Sequence, residues 1–263
     1  MRGYLWAAAI VLALCAPPAG AQSVTMESLL KEMTSLDWLA TAPGPAYITK
    51  QFSSYSRKST DPNVLTEENW FANADRGHYL RKEAGAAGEE FVLMDADGPG
   101  AIVRFWSANA NEGGVVRIYV DGAEKPAVEM TLEDMLDGRA KPFVKPISHM
   151  LSRGWNSYLP MPYAKHCKVT VSKFNIYYQI NYRTYPSGTV VESYSPGLAE
   201  RLMPVIESAA QALAAPETAA KMPENAVPSG YDAALAPGET QTLDLTGPAA
   251  VYGITCKADA ADL

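Results

Sequence analysis

Between Glu89 and Ser195 the chain divides into short runs rich in β-branched and aromatic residues, at 91–94, 101–107, 115–120, 127–130, 156–160, 168–172, 176–184 and 189–194, with turn residues between them. Closely spaced short strands bury their apolar sides only by packing sheet on sheet or by closing, so the pattern restricts this region to a β-sandwich, jelly roll or barrel. Gly113-Gly114 and Asp121-Gly122 mark two turns. Pro99-Gly100 precedes the run 101–107, which reads as the start of the first hairpin. The number of runs fits a jelly roll.

Within this region, 167–171 and 175–185 read as a strand pair whose second member separates two chemistries. Alternate residues of a strand share a face. Tyr177, Gln179, Asn181 and Arg183 therefore fall on one side, and the more apolar Tyr178, Ile180, Tyr182 and Thr184 on the other. Amides, a guanidinium and an aromatic ring suit a saccharide, because flat rings pack on its C–H surfaces while planar polar groups satisfy its hydroxyls. The same pattern also describes the solvated face of an ordinary antiparallel strand.

Flanking segments are helical or loop-like. Leu29, Leu30, Met33 and Leu36 follow helical spacing within 26–39, and Pro43-Gly44-Pro45 stops the helix. From 198 to 215, Leu202, Val205, Ile206, Ala209 and Leu213 form one stripe, kinked or restarted at Pro204. The proline- and alanine-rich stretch 216–238 reads as a linker. Beyond it, 239–254 aligns without a gap on 90–105: Glu239, Asp244, Gly247, Pro248 and Ala250 repeat Glu90, Asp95, Gly98, Pro99 and Ala101. A duplicated β-domain explains this better than a shared turn-and-strand pattern. The second copy would reach only its opening strands by Leu263, and a jelly roll cannot close on those, so the sequence reads as C-terminally truncated.

Composition excludes several classes. Arg2, the apolar run from Tyr4 to Ala16 and the small residues Ala19-Gly20-Ala21 describe an export signal over 1–21. The mature chain is therefore expected in the periplasm or outside the cell; lipid attachment at Cys15 is a minor alternative, because Leu14 is bulky for a lipobox. No stretch reaches the roughly 20 apolar residues of a spanning helix. Loss of Arg2 with the signal leaves 21 basic against 29 acidic residues, a net charge of −8, with no basic stripe for nucleic acid. Of the cysteines left, Cys167 and Cys256 could pair, but buried free thiols are the expected state. His78, His149 and His166 share no metal-ligand spacing, and no zinc motif, phosphate loop or nucleophile elbow occurs. No metal or other cofactor is expected.

Several ordered motifs resemble glycoside hydrolase family 172, formerly a domain of unknown function. They are Gln51-Phe52-Ser53-Ser54-Tyr55-Ser56-Arg57, Asn73-Ala74-Asp75, the stretch 98–109 that includes Arg104, Trp106 and Asn109, Ile118-Tyr119-Val120-Asp121-Gly122, Tyr158-Leu159-Pro160-Met161-Pro162-Tyr163, Tyr178-Gln179-Ile180-Asn181-Tyr182-Arg183 and Val191-Glu192-Ser193-Tyr194. The resemblance implies two successive jelly rolls, assembly into a trimer or hexamer, and retaining hydrolysis of fructofuranosides or D-arabinofuranosides. Retention requires a nucleophilic and an acid/base carboxylate about 5–5.5 Å apart. The resemblance places the catalytic glutamates in the second jelly roll, so no catalytic residue is carried over. Asp75 and Glu192 are the candidates within this chain, with a turn-forming aspartate and an ion-pair partner of Arg183 as their structural alternatives.

The expected fold is thus all-β: a jelly-roll sandwich over 46–196, preceded by a helical segment at 22–45, followed by a connecting helix and linker at 197–236 and by the opening strands of a second, incomplete jelly roll at 237–263. Candidate binding residues are Tyr55, Arg57, Asn73, Asp75, Arg104, Trp106, Asn109, Gln179, Asn181 and Arg183. Three functions compete: an exported furanoside hydrolase, a non-catalytic carbohydrate-binding or trimer-forming jelly roll, and an inactive fragment.

Overall fold

The computed structural model describes residues 23–35, 38, 44–58, 61, 63, 75–85, 88–216, 235–242, 244–247 and 251. Among the described residues eleven strands form two antiparallel sheets packed face to face. The six-stranded sheet has the order β1 (Ile48–Ser53), β11 (Tyr178–Thr184), β4 (Gly100–Ser107), β8 (Gly154–Ser157), β7 (Ser148–Leu151), with β9 (Met161–Tyr163) also on β4. The five-stranded sheet has the order β2 (Arg81–Gly85), β3 (Gly88–Asp97), β10 (His166–Val171), β5 (Val115–Val120), β6 (Val128–Thr131). The region is the all-β sandwich that its run spacing predicts.

Strand partners differ from the sequence reading in a consistent way. β10 and β11 do not pair: β10 lies between β3 and β5, and β11 between β1 and β4, in the opposite sheet. Likewise β4 and β5 belong to different sheets, so the run 101–107 opens no hairpin. Consecutive strands that cross between sheets are how a sandwich covers both inner faces, and turn residues alone cannot distinguish such a crossing from a hairpin. True hairpins join β2 to β3, β5 to β6 and β7 to β8. The run 189–194 is no strand. It makes one parallel bridge, Val191 with Val24, fixed by Val24 N–H to Val190 O and Glu192 N–H to Val24 O, both 2.9 Å.

Phe105, Ile102, Leu93, Ile118, Val169, Tyr178 and Ile180 are essentially fully buried between the sheets. The Tyr178 hydroxyl donates to Leu93 O at 2.9 Å and so ties the two sheets across the core. Cys167 is a buried free thiol whose pKa burial pushes up, as befits a small core hydrophobe. Cys15, Cys256 and the expected signal 1–21 lie outside the described residues.

Helix α1 (Met26–Glu32) is fixed by a capping box, in which Thr25 and Ser28 exchange side-chain and backbone bonds. Within the sandwich a short helix α2 (Leu132–Leu136) follows β6, and the connecting segment after β11 holds α3 (Pro196–Arg201) and α4 (Met203–Ala214). The expected break falls at Leu202, and Pro204 starts α4, where its missing N–H has no helical partner to lose. Of the expected second jelly roll, the described residues 237–242, 244–247 and 251 form no strand, and the remainder of 237–263 lies outside the described residues. An isolated strand has no ladder partner for its backbone groups.

Among the described residues four carboxylates hold their protons less tightly than usual. Lys168 lowers Glu83 by hydrogen bonding; at Asp95, Asp121 and Asp137 partial burial works upward, but hydrogen bonds outweigh it, from Arg81 and His166, from Ser193 and the backbone of 165–166, and from Met150 N–H respectively. A carboxylate with a depressed folded pKa adds stability that is present above its unfolded value, about 4, and is lost as the pH falls through the folded one. The urea midpoint is therefore expected to hold from pH 7 to about 5 and to drop steadily as the pH falls below about 4; a midpoint unchanged at pH 3 would contradict these pairings.

Candidate functional site

The outward face of the six-stranded sheet carries an ordered polar grid. Antiparallel register places Gln51, Asn181 and Arg104 in one row and Ser53, Gln179, Trp106 and Asn156 in the next, because these residues all point away from the core. A bulge at Val103, where Asn181 faces Arg104 but Tyr182 faces Ile102, keeps Ile102 and Phe105 in the core while turning Arg104 outward.

Arg104 is the centre of this grid. Its Nη1 donates to Gln179 Oε1 at 3.1 Å and Asn181 Oδ1 at 3.3 Å, and its Nη2 to Asn156 Oδ1 at 3.3 Å. Its guanidinium carbon lies 5.9 Å from the ring centre of Tyr158, which is 43% exposed. Asn181 Nδ2 donates onward to Gln51 Oε1 at 3.1 Å, and Asn156 Nδ2 to Gly154 O at 3.2 Å. Trp106 is half-buried on the same face, its indole lying against Gly154, where a Cβ would come within 2.6 Å of Nε1.

Helix α1 closes one side of the grid. Leu29, Glu32 and Met33 line a cavity of about 510 Å³ with Arg104, Tyr158 and Asn181. Arg183 forms its corner, donating to Glu32 through Nη1 at 2.8 Å and Nη2 at 2.5 Å while stacking over Tyr47 at 4.0 Å. Burial works to release the proton of Arg183, but the two bonds to Glu32 outweigh it and hold the guanidinium well above the ordinary arginine value. The expected Glu192 partner of Arg183 is thus replaced by Glu32, which helix α1 delivers from 151 residues away in sequence.

The other predicted residues lie elsewhere. Arg57 folds back on its own loop, donating to Ser53 O and Tyr55 O and covering the Tyr55 ring at 4.6 Å. Asp75 Oδ1 accepts from Ser56 N–H at 2.7 Å, as a loop-bracing aspartate does. Asn109 joins two loops, donating to Asn175 O at 2.9 Å and accepting from Tyr177 N–H at 3.0 Å. Glu192 is exposed beside the Val24 bridge. Asn73 lies outside the described residues. The predicted set therefore divides into Arg104, Trp106, Gln179, Asn181 and Arg183, which share one face, and Tyr55, Arg57, Asp75, Asn109 and Glu192, which do not join it.

Gln51, Asn156, Tyr158 and Glu32 belong to the face but were not singled out. Alternation within the run 156–160 and the motif at 51–57 held the signal for the first three; Glu32 depended on a tertiary contact. A second polar cluster, on the outer side of the other sheet, is also new. Glu90 is 3% exposed and Arg117 8%. The Glu90 carboxylate accepts from Thr170 Oγ1 at 2.6 Å and from the Tyr119 hydroxyl at 3.1 Å, with Arg117 Nη1 at 3.5 Å. Burial, then the bond to Glu90, pushes the Tyr119 phenol up to about 12. Glycine at 85 permits this packing, since a Cβ there would stand 2.2 Å from Glu90 Oε1. With its carboxylate fully surrounded, this cluster binds the sheet together and presents no open face.

Chemically, the Arg104 face offers amide and guanidinium donors beside two aromatic rings, next to a cavity. Ring hydroxyls and C–H surfaces of a saccharide are matched by that combination. Comparison with known proteins agrees with it at the level of family. A search of curated proteins returns no significant match. A family model described as the first β-sandwich domain of glycoside hydrolase family 172 matches residues 45–202, which run from just before β1 to the end of α3 and make up more than half of the chain. The two-sheet sandwich, its order along the chain and this match lead to one conclusion: the chain belongs to glycoside hydrolase family 172.

Proposed function

We propose that the chain is part of an exported, retaining furanoside hydrolase acting on fructofuranosides or D-arabinofuranosides. The observation that carries this reading is the Arg104 face: a guanidinium that holds three amides in fixed orientation beside Tyr158 and an open cavity, on a sandwich of a glycoside hydrolase family. Export rests on the apolar run and small-residue site of 1–21. In this reading 46–196 is the first sandwich, 197–236 the connecting helices and linker, and 237–263 the beginning of a second sandwich. Assembly into a trimer or hexamer is part of the same proposal.

The catalytic carboxylates are proposed to come from beyond the first sandwich. Glu32 is the carboxylate of the cavity among the described residues, and its bidentate bond to Arg183 commits both of its oxygens, which suits a structural role better than nucleophilic attack. Asp75 is committed to the Ser56 N–H. The face described here would then bind and orient the sugar, while two carboxylates about 5–5.5 Å apart attack the anomeric carbon and protonate the leaving oxygen.

Hydrolysis of para-nitrophenyl α-D-arabinofuranoside and of fructofuranosides tests this, with the chain assayed beside the full translation of its reading frame. The expected result is turnover with retained anomeric configuration, seen by proton NMR, in the full translation and not in residues 1–263 alone. Inversion would remove the retaining mechanism. Sugar binding without turnover in either form would favour a carbohydrate-binding sandwich instead.

A further inference from the structure

We propose that the cavity on the far side of the Glu32–Arg183 pair is a second sugar subsite, walled by Trp38, Tyr47 and Tyr185, and that it makes the site select two linked neutral rings over one. This rests on the reading of the Arg104 face as a saccharide site and adds to it a second ring and the residues that hold it.

Two cavities share that pair. One, of about 510 Å³, is the cavity of Arg104, Tyr158 and Asn181. The other, of about 140 Å³, is bounded by Trp38, Tyr47, Tyr185 and Ser28. Leu29, Glu32 and Arg183 line both. The partition is held from two sides: Glu32 comes from the capped helix α1, and Arg183 grips it with two bonds while lying over the Tyr47 ring. The side chains of Arg183 and Glu32 are only 16% and 17% exposed, so the pair is a fixed ridge between two chambers. Along β11 the chambers follow one another. Asn181 faces the first, Arg183 stands at the ridge, and Tyr185, the next alternate residue, faces the second. At the rise of an extended strand Asn181 and Tyr185 are about 14 Å apart, a span that one furanose ring cannot cover and two linked rings can.

The chambers also differ in chemistry as two neighbouring sugar subsites do. The first offers amides and a guanidinium to ring hydroxyls; the second offers three aromatic side chains, which suit the C–H surfaces of a ring. Tyr47 and Tyr185 meet edge to face at 76° with centres 6.1 Å apart, and Tyr185 packs with Val24 and Leu29 in a small buried cluster. That wall is thus ordered before a ligand arrives, which lowers the cost of binding. Trp38 is half-buried and lines the second chamber without reaching the first. At the ridge each Glu32 oxygen accepts from Arg183 and keeps a further lone pair for a ring hydroxyl. The pair cancels its own charge, and among the described residues no other charged side chain lines the second chamber, so the ring it takes is neutral.

Isothermal titration of the chain with two matched pairs tests the proposal: methyl α-D-arabinofuranoside against the methyl glycoside of its α-1,5-linked disaccharide, and methyl α-D-fructofuranoside against an α-linked difructofuranoside. The expected result is binding of one disaccharide about tenfold or more tighter than its monosaccharide, as a second ring buried against aromatic faces supplies. Trp38→Ala is expected to bring the two Kd values of that pair within about threefold of each other. In the unaltered chain the indole N–H resonance of Trp38 is expected to move on addition of the disaccharide, a readout that does not depend on the variant folding. Equal affinity within both pairs, an advantage that survives Trp38→Ala, or a Trp38 resonance unmoved at saturating disaccharide would overturn the proposal. Monosaccharides that bind while the second ring adds nothing remove only the second subsite and leave the Arg104 face as a sugar site; no binding of all four sugars removes both.

Discussion

Replacing Glu90 by alanine is expected to destabilise the sandwich by about 3–5 kcal/mol, the range for removing one member of a buried ion pair. The size follows from what is left behind. Arg117 is 8% exposed and would retain Glu129 at 2.8 Å, a partner whose side chain is half in water. Thr170 is fully buried and would lose the acceptor of its hydroxyl, and Tyr119 would lose both oxygens it now contacts. Stranded donors of this kind each cost about 1–3 kcal/mol. Glutamine at the same position keeps the shape and one acceptor oxygen, and is expected to cost less than half as much as alanine. Urea unfolding followed by far-ultraviolet circular dichroism measures both. A loss below about 1 kcal/mol for the alanine variant would mean that water reaches the cluster and takes the place of the carboxylate.

The second large effect is on binding. Arg104→Ala is expected to raise the Kd for methyl α-D-arabinofuranoside about 30-fold or more, corresponding to roughly 2 kcal/mol, which lies within the usual value of a hydrogen bond to a charged group. The loss has a second source, because the guanidinium also orients the side-chain amides of Gln179, Asn181 and Asn156. Without it those amides are free to turn, and the ordering they now carry must be supplied when the sugar binds. Stability should change little, since Arg104 lies on the outer face and the core beneath it, Ile102 and Phe105, is untouched. A Kd within threefold of the wild type would place the sugar elsewhere.

How much of this could be read from the sequence depends on how local each feature is. The alternation in 176–184 identified β11 and its two faces, and Tyr178, Ile180 and Tyr182 are buried as it requires. β2, with the sequence RKEAG and mostly exposed, carries no apolar alternation to detect; it is a strand because β3 supplies its ladder. β7 and β9 are four and three residues long, too short for periodicity to register. Which strands pair is a property of the whole sandwich, and for that reason the apparent pairing of β10 with β11 dissolved into two sheets. The site follows the same rule. Gln179 and Asn181 share a strand, and their common face was legible; Arg104 joined them through the resemblance and the register of β4. Asp75 and Asn109 have residue types that serve ligands and loops equally well, and only their bonds to Ser56 and to 175–177 decide for the loops.

The most direct test of the Arg104 face is to titrate methyl α-D-arabinofuranoside into isotope-labelled protein and follow backbone and side-chain amide resonances by heteronuclear NMR. Binding as described here shifts the side-chain amides of Gln51, Asn156, Gln179 and Asn181 together with the backbone of 104–106, and leaves the Glu90 cluster on the opposite sheet unmoved. Shifts confined to the loops holding Tyr55, Asp75 or Asn109, with the amides around Arg104 unchanged at saturating sugar, would contradict the account.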